Sequence, residues 1–552
     1  MSTFAPQATG INDRSRWYIL AICCVALFMA VLDNLIVNIA LPTISDDFSP
    51  TTAQLQWIMS AYVLVFASLQ ITAGGLGDRF GRKRFFMLGL AVFTATSALA
   101  AFVPSTGWLI AARAAQGIGA AFIMPLTLSI ISTSFPPAER GKAIGIWSGI
   151  SMSGIAIGPI LGGLIVDAWS WHWIFLVNVP IGIATIVAAR FILKESQDQS
   201  GHAATDIPGT LTVTAAIAAL TWGLIEAGER GWGDPMVVGS LLGAVLLLAL
   251  FGAIEMRSAN PMVPMRFFAS RNFTGANLVS VATSFLIAGL AFALTMYFQN
   301  VHGYSAVRAG LTMLPSVLPM MIVGPLSGSM VSRIGARHMI TIGMIISSVG
   351  VFLLSQVSMD TTFLRMLPAL VIFGIGNGMV FAPMMTTLMN SVETAKAGVA
   401  SAVNGAIREV GFAFGIALLG TIMNQTYRDS LRGSSEFRAL RDTSNPELQP
   451  LQPVLDLIGK GVNFGGRVIE NPELFPGLPA SITEPIRIAS SRAFVSGMEQ
   501  AFTISVTAMV IAAGVAWFLI RDVAAVEREP EHILPQAESG MAPQPSGSGG
   551  GE

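Results

Sequence analysis

The run Gly74-Gly75-Leu76-Gly77-Asp78-Arg79-Phe80-Gly81-Arg82-Lys83-Arg84 decides what kind of chain this is. It places the cations Arg79, Arg82, Lys83 and Arg84, with the carboxylate Asp78, in the short gap between two segments, 53–74 and 85–103, that are too apolar for water. Glycine tolerates backbone angles closed to other residues, so Gly74 and Gly81 read as points where the chain turns. Asp78 is available to a cationic partner or to a helix N-terminus. A basic turn between two apolar runs of membrane length belongs on the cytoplasmic side, because Lys and Arg are retained there.

Working outward, the 552 residues are 53% hydrophobic and only 11% charged, with a mean hydropathy of +0.65. Soluble domains carry about 25% charged residues, so lipid is most of this chain's solvent. A hydrocarbon layer about 30 Å thick needs roughly 20 apolar residues per helix. Cutting the sequence at its charges and prolines on that basis gives fourteen spans: 17–41, 53–74, 85–103, 108–131, 141–167, 173–192, 208–226, 236–255, 273–299, 309–331, 339–356, 363–390, 398–423 and 500–520. The distribution of Lys and Arg tests this division independently. Gaps that follow even-numbered spans hold Arg79, Arg82, Lys83, Arg84, Arg140, Lys142, Arg190, Lys194, Arg257, Arg266, Arg271, Arg333, Arg337 and Lys396, whereas the other short gaps hold only Arg230, Arg308 and Arg365. Both chain ends are therefore expected in the cytoplasm: a segment 1–16 and a tail 521–552 of disordered composition. No cleavable signal peptide is expected before the first span, whose apolar run is too long for one.

Gly117-Ile118-Gly119 recurs as Gly374-Ile375-Gly376, and Gly141, Gly154 and Gly158 recur as Gly398, Gly411 and Gly415, all 257 residues later. Gly74, Arg79 and Gly81 echo more weakly as Gly328, Arg333 and Gly335, 254 residues later. Echoes in the same direction imply parallel six-helix repeats, here 17–195 and 273–520, with two inserted helices in 206–256. The fold expected is an all-α membrane protein of two six-helix bundles plus two inserted helices. The long gap 424–499 would lie outside as a partly ordered cap, since 482–502 has an amphipathic helical pattern.

Several chemistries find no support. The net charge of −1, with basic residues spread over many gaps, predicts no nucleic-acid partner. Cys23 and Cys24 are adjacent within one span and read as packing residues. His172, His202, His302, His338 and His532 have no metal-ligand spacing, and no phosphate-binding GxxxxGK[ST] loop is present. No metal or other cofactor is expected, and work would be driven by an ion gradient, worth about 2.3 kcal/mol per charge per 100 mV.

Polar residues within the spans are the candidate machinery, because an intramembrane charge costs at least about 2.5 kcal/mol and needs a reason. Asp33, with Asn34 and Asn38, lies deep in the first span; its carboxyl can carry a proton, or alternatively serve as hydrogen-bonded glue between helices. Arg113 lies inside the fourth span with Gln116 beside it and small residues following. Glu409, next to Arg408 in the thirteenth span, is the second protonation candidate, with an internal salt bridge as its alternative role. Glu226, near an outer helix end, reads as snorkelling to water. The fifth span carries Gly145, Gly154, Gly158, Pro159, Gly162 and Gly163, where glycines four apart make a groove and Pro159 permits a bend. Trp171 and Trp173 read as interfacial anchors.

The basic stretch, spaced G-x-L-x-D-R-x-G-R-K, resembles the loop between the second and third helices of the major facilitator superfamily, and the resemblance runs from about residue 17 to 520. The six-plus-two-plus-six layout, the segment 32–42, the stretch 113–121 and the full pattern G-x8-G-x3-G-P-x2-G-G resemble its 14-helix drug:proton antiporter branch, with departures at Leu35 and His172. The resemblance implies alternating access around a midplane pocket in a bacterial cytoplasmic membrane, by a monomer that is not an enzyme. It implies that Arg113 works with the proton machinery of Asp33, that the glycine–proline helix is a hinge and proton seal, and that Gly74, Asp78, Arg79, Gly81, Arg82 and Lys83 form a cytoplasmic gate latched by Asp78 and Arg79. The partners implied are protons, membrane lipid and an amphipathic, cationic small molecule. The alternative cargo on the same fold is a lipid, siderophore or other endogenous metabolite. A membrane sensor or intramembrane enzyme would need a signalling domain or soluble catalytic residues, and the sequence holds neither.

Overall fold

The computed structural model describes residues 13–197, 206–258, 260–441, 452–459 and 480–522. Most of the N-terminal segment, the tail and the middle of the gap 424–499 lie outside the described residues. Fourteen long helices follow one another: α1 Asp13–Phe48, α2 Thr52–Phe80, α3 Arg82–Ala100, α4 Thr106–Ser134, α5 Pro137–Ala168, α6 Asn178–Ile192, α7 Ile207–Arg230, α8 Pro235–Arg257, α9 Arg271–Met296, α10 Leu314–Ile334, α11 Ala336–Ser355, α12 Phe363–Asn390, α13 Ala397–Gly433 and α14 Ala480–Leu519. Thirteen fall in segments long and apolar enough to cross a membrane, and α5, with 32 residues, stands where the fifth span is predicted.

Local chemistry explains where these helices begin and break. Thr51 and Gln54 form a reciprocal capping box at the start of α2, and Asp206, Asp234 and Ser270 cap α7, α8 and α9. The break between α2 and α3 is the single residue Gly81, at φ +120°, and its counterpart Gly335, at φ +91°, separates α10 from α11. A side chain at Gly81 would also meet the Glu195 carboxylate, 2.7 Å from an added Cβ. That carboxylate accepts from Lys83 N at 3.0 Å and Arg84 N at 3.2 Å, filling the open N-terminus of α3. Asp522 does the same for α11, accepting from Arg337 N at 2.9 Å.

Two six-helix bundles result. In the first, α1 packs on α5, α4 and α6, and α3 and α2 both pack on α4, with α3 also on α6; adding eight to each helix number gives pairings that recur in the second bundle, α9 to α14, where α13 packs on α14 as well. The bundles meet where α2 and α4 cross α13 and where α10 and α12 cross α5. The inserted pair is asymmetric: α7 packs on α2 and α13, and α8 packs mainly on α7. Leu242, Val245, Leu246 and Leu250 leave much of α8 exposed, as a helix apolar all round requires when lipid is its solvent.

Three expectations change in the structure. Gly74, Gly75 and Gly77 do not turn the chain: α2 runs through them to Phe80, because Gly74 and Gly77 are contact points against Gly398 and Leu126. In the segment 424–499, α13 continues past its expected end to Gly433, while α14 starts at Ala480, where the amphipathic pattern of 482–502 had placed a helix. At about 1.5 Å per residue these helices are roughly 55 and 60 Å long, well beyond the hydrocarbon thickness. Trp171 is a core residue rather than an interfacial anchor, only 2% exposed, with its indole N–H donated to Asp47 Oδ2 at 2.5 Å; Trp173 stays exposed.

The basic gaps gather at one end. Arg82 reaches the carbonyls of Thr394 and Ala395, Lys83 those of Arg190 and Leu193, Arg140 the side chain of Asn390, and Arg266 pairs with Glu393. The first and last described segments join them through Arg16 with Glu139 and Asp522 with Arg337.

Candidate functional site

Asp33 is held deep in the first bundle by the way α1 seats on α5. An added Cβ at Gly154, Gly158 or Gly162 would fall 2.6 Å from Val31 Cγ1, 3.1 Å from Leu35 Cβ and 2.9 Å from Ile36 Cγ1. The glycine groove thus receives the face of α1 that carries Val31 and Leu35. Asp33, two residues from each and on the opposite side of a 3.6-residue turn, points away from α5 into the bundle.

There it meets Arg113 of α4; both side chains are 0% exposed. Arg113 Nη1 donates to Asp33 Oδ2 at 2.5 Å and to Gln116 Oε1 at 3.0 Å, and Arg113 Nε to the Ile58 carbonyl at 3.4 Å. Asp33 Oδ1 accepts from Gln116 Nε2 at 3.2 Å and from Asn178 Nδ2 of α6 at 2.7 Å, and Gln116 Nε2 also donates to Ser97 Oγ of α3 at 2.6 Å. The Arg113 guanidinium lies 4.4 Å from the centre of the Tyr62 ring, whose hydroxyl donates to the Ala30 carbonyl. Every hydrogen bond to Asp33 comes from an N–H donor, so the centre is built around an ionised carboxylate neutralised by a buried guanidinium. Arg113 Nη2 and Asn178 Oδ1 are buried without a hydrogen-bond partner.

Of the residues proposed from sequence, the structure brings Asp33, Arg113 and Gln116 together. Asn34 and Asn38 lie on another face of α1; Asn38 is exposed and its amide reaches only the Leu35 carbonyl, at 3.5 Å. Glu409 is half-buried on α13 of the other bundle and makes no hydrogen bond or ion pair among the described residues. Glu226, read as snorkelling to water, is 7% exposed and pairs with Arg230 at 2.5 Å. Asn178, Ser97 and Tyr62 complete the Asp33 centre and were not anticipated; an amide near the start of an otherwise apolar sixth span was the available signal.

A second cluster ties the bundles together at the basic end. Asp78, 4% exposed, accepts from Gly398 N at 3.0 Å and Val399 N at 2.8 Å, the open N-terminus of α13, and from Arg82 Nε at 2.7 Å within its own bundle. Arg82 then crosses to Thr394 O and Ala395 O at 3.1 and 2.7 Å. Arg79 is not in this contact: its guanidinium lies over Phe80, and Arg82 does the crossing. Two glycine pairs bring the helices close enough. An added Cβ at Gly74 would sit 2.5 Å from Gly398 O, and one at Gly141 2.4 Å from Gly328 O. Gly145 extends the second crossing, 2.7 Å from Pro325 Cα, and Gly163 meets Val307. The α5 glycines therefore serve two faces, with Gly145 toward α10 and Gly154, Gly158 and Gly162 toward α1. The side chain of Pro159 lies outside the described residues.

Repeated bundles and pseudo-symmetric glycine crossings agree with the comparison of sequences, in which residues 23–416 match the Major Facilitator Superfamily. The chain belongs to that superfamily. Within it, the tetracenomycin C resistance and export protein of Streptomyces glaucescens is 33% identical over 546 residues, covering 97% of each chain. The multidrug resistance protein Stp of Mycobacterium tuberculosis is 33% identical over 528 residues, covering 95% of this chain and 96% of the relative. The solved structure of the proton:xylose symporter XylE aligns with a TM-score of 0.57 at 13% identity, over 93% of this chain and 97% of that one, a likeness of fold alone. Major facilitators are multi-pass membrane transporters, which accounts for the lipid-length helices.

Proposed function

We propose that this chain exports amphipathic small molecules, drugs among them, by alternating access, and that proton entry at Asp33 drives the cycle. The buried Asp33–Arg113 pair carries this reading, because a charge pair placed where burial costs both partners is retained for work rather than stability. The functions named for the two relatives, resistance and export, support the direction of transport. By the bias of Lys and Arg, the basic end faces the cytoplasm with both termini, and the latch at Asp78 holds the two bundles closed on that side. Protonation of Asp33 releases Arg113, loosening α1 from α4 and, through the glycine groove, from α5, which also forms the crossing with α10. Glu409 is a second proton site on the other side of the interface. The expectation of a cationic cargo rested on a carboxylate in the pocket; Asp33 lies within one bundle instead, and the charge of the cargo is taken up below.

The test uses purified protein in proteoliposomes with an imposed pH gradient and a panel of fluorescent amphiphiles that includes ethidium. The expected result is gradient-driven movement of at least one dye, abolished by a protonophore and by Asp33→Asn. Folded protein that moves none of the panel in response to the gradient defeats the proposal.

A further inference from the structure

A small cavity lies between the bundles, directly on the membrane side of the Gly74–Gly398 crossing. Gln70 of α2, Met124 and Pro125 of α4 and Trp147 of α5 line one side, with Ser401 and Arg408 of α13 on the other. Two of its polar side chains, Gln70 and Arg408, present donors without acceptors. The Gln70 side chain is 1% exposed and its Nε2 has no hydrogen-bond partner. Arg408 meets no oxygen among the described residues: its guanidinium contacts Met124 Sδ at 3.9 Å and the face of Phe381 at 5.7 Å. Two other donors around the cavity are spent, since Trp147 Nε1 donates to Thr127 Oγ1 at 3.1 Å and Asn404 Nδ2 to Asn277 Oδ1 at 3.1 Å, while Ser401 adds a hydroxyl to the lining. No carboxylate lines the space, and Glu409, the next residue, acts on Arg408 through its charge without a hydrogen bond or close ion pair.

The buried Gln70 amide and the half-buried Arg408 guanidinium leave hydrogen-bonding capacity toward this space, which water satisfies at rest and which the oxygens of a bound molecule can take over. The guanidinium is a planar fork that matches a carboxylate with two parallel hydrogen bonds. We propose that this cavity binds the acidic oxygen end of the cargo, and that the chain selects amphipathic carboxylates or similarly acidic compounds over cations. Arg408 pairs with the anion, Gln70 donates a second hydrogen bond from the opposite bundle, and Met124, Pro125 and Trp147 receive the adjoining apolar part. Because Gln70 and Arg408 come from different bundles, the bound anion bridges them and is released when the halves separate at this level. The inference rests on the exporter reading and fixes its substrate class.

The experiment titrates protein in nanodiscs with three probes that share one fluorophore: dansylamino-undecanoic acid, its methyl ester, and the amine dansylcadaverine. The acid is expected to bind at least about tenfold more tightly than the ester or the amine. Arg408→Ala should remove that preference by bringing acid affinity down to about that of the ester, and Gln70→Leu should reduce it several-fold. If Arg408→Ala does not fold, Arg408→Lys and Gln70→Leu decide the matter, since each removes part of the donor set. Equal binding of acid and ester, tighter binding of the amine, no binding of any probe, or an acid preference that survives both substitutions in folded protein overturns the inference. Gradient-driven transport without acid preference leaves the exporter reading standing and removes only this site; acid preference without gradient-driven transport does the reverse.

Discussion

Both oxygens of Asp33 already accept from N–H groups of Arg113, Gln116 and Asn178, so a proton arriving there displaces a donor, and the guanidinium is the donor whose charge it makes redundant. The pair therefore behaves as a unit. Removing one partner from a buried ion pair costs about 3–5 kcal/mol, because the other charge stays buried without compensation, whereas removing both is far milder. Asp33→Asn and Arg113→Gln are each expected to destabilise the detergent-solubilised protein by that order. The double variant should recover much of the loss, a coupling read from unfolding of all four proteins. Simple additivity of the two single losses would contradict the pairing. This centre was half legible in the sequence. Charges within apolar runs are conspicuous, which exposed Asp33 and Arg113, and Gln116 lies one turn from the arginine. Asn178 and Tyr62 were not legible, because an uncharged polar group in a span announces neither its partner nor its direction.

Among the elements, the repeat offsets foretold which glycines correspond, Gly74 with Gly328 and Gly141 with Gly398, but not that each meets the counterpart of the other. That crossing is a property of how two bundles are set about a shared axis, and one-dimensional spacing does not contain it. The end of α13 was also hidden, since apolarity stops at the membrane surface while the helix continues to Gly433, whereas the amphipathic pattern of 482–502 marked the start of α14. At the crossings a methyl group has nowhere to go: its nearest neighbour at Gly74 or Gly141 is a backbone carbonyl oxygen, within 2.5 Å. Gly74→Ala and Gly141→Ala are therefore expected to hold the bundles apart at the basic end and lower transport at least about tenfold, an effect of roughly 1.4 kcal/mol or more. Gly243→Ala on α8 has nothing within 4 Å and should transport at the wild-type rate. Wild-type transport by both crossing variants would show that the bundles do not close on these glycines.

For the whole molecule, the pseudo-symmetry is broken where it matters for switching. The crossing of α2 with α13 carries Asp78 and Arg82, while the positions 254 residues later are Ser332 and Ala336, which hold no charge. The opposite crossing of α5 with α10 has its own glycines, and beside it Arg140 donates to Asn390 Oδ1 at 2.9 Å. Asp78 alone makes two charge-assisted hydrogen bonds between the bundles, to Gly398 N and Val399 N. At about 1.5–3 kcal/mol each, these approach the roughly 5.5 kcal/mol that turns a 99:1 population into 1:99. On the proposed cycle, this one side chain would supply much of the free energy that keeps this end shut. Asp78→Ala is expected to open the molecule on the α2–α13 side first. Spin labels at Arg84 and Glu393 span that side, and labels at Lys142 and Ser332 span the other, in protein whose buried free cysteines Cys23 and Cys24 are replaced. The first distance should lengthen by several ångströms and broaden in Asp78→Ala while the second moves less. An unchanged first distance, or opening led by the Lys142–Ser332 side, would mean that the glycine crossings rather than the latch set the closed state.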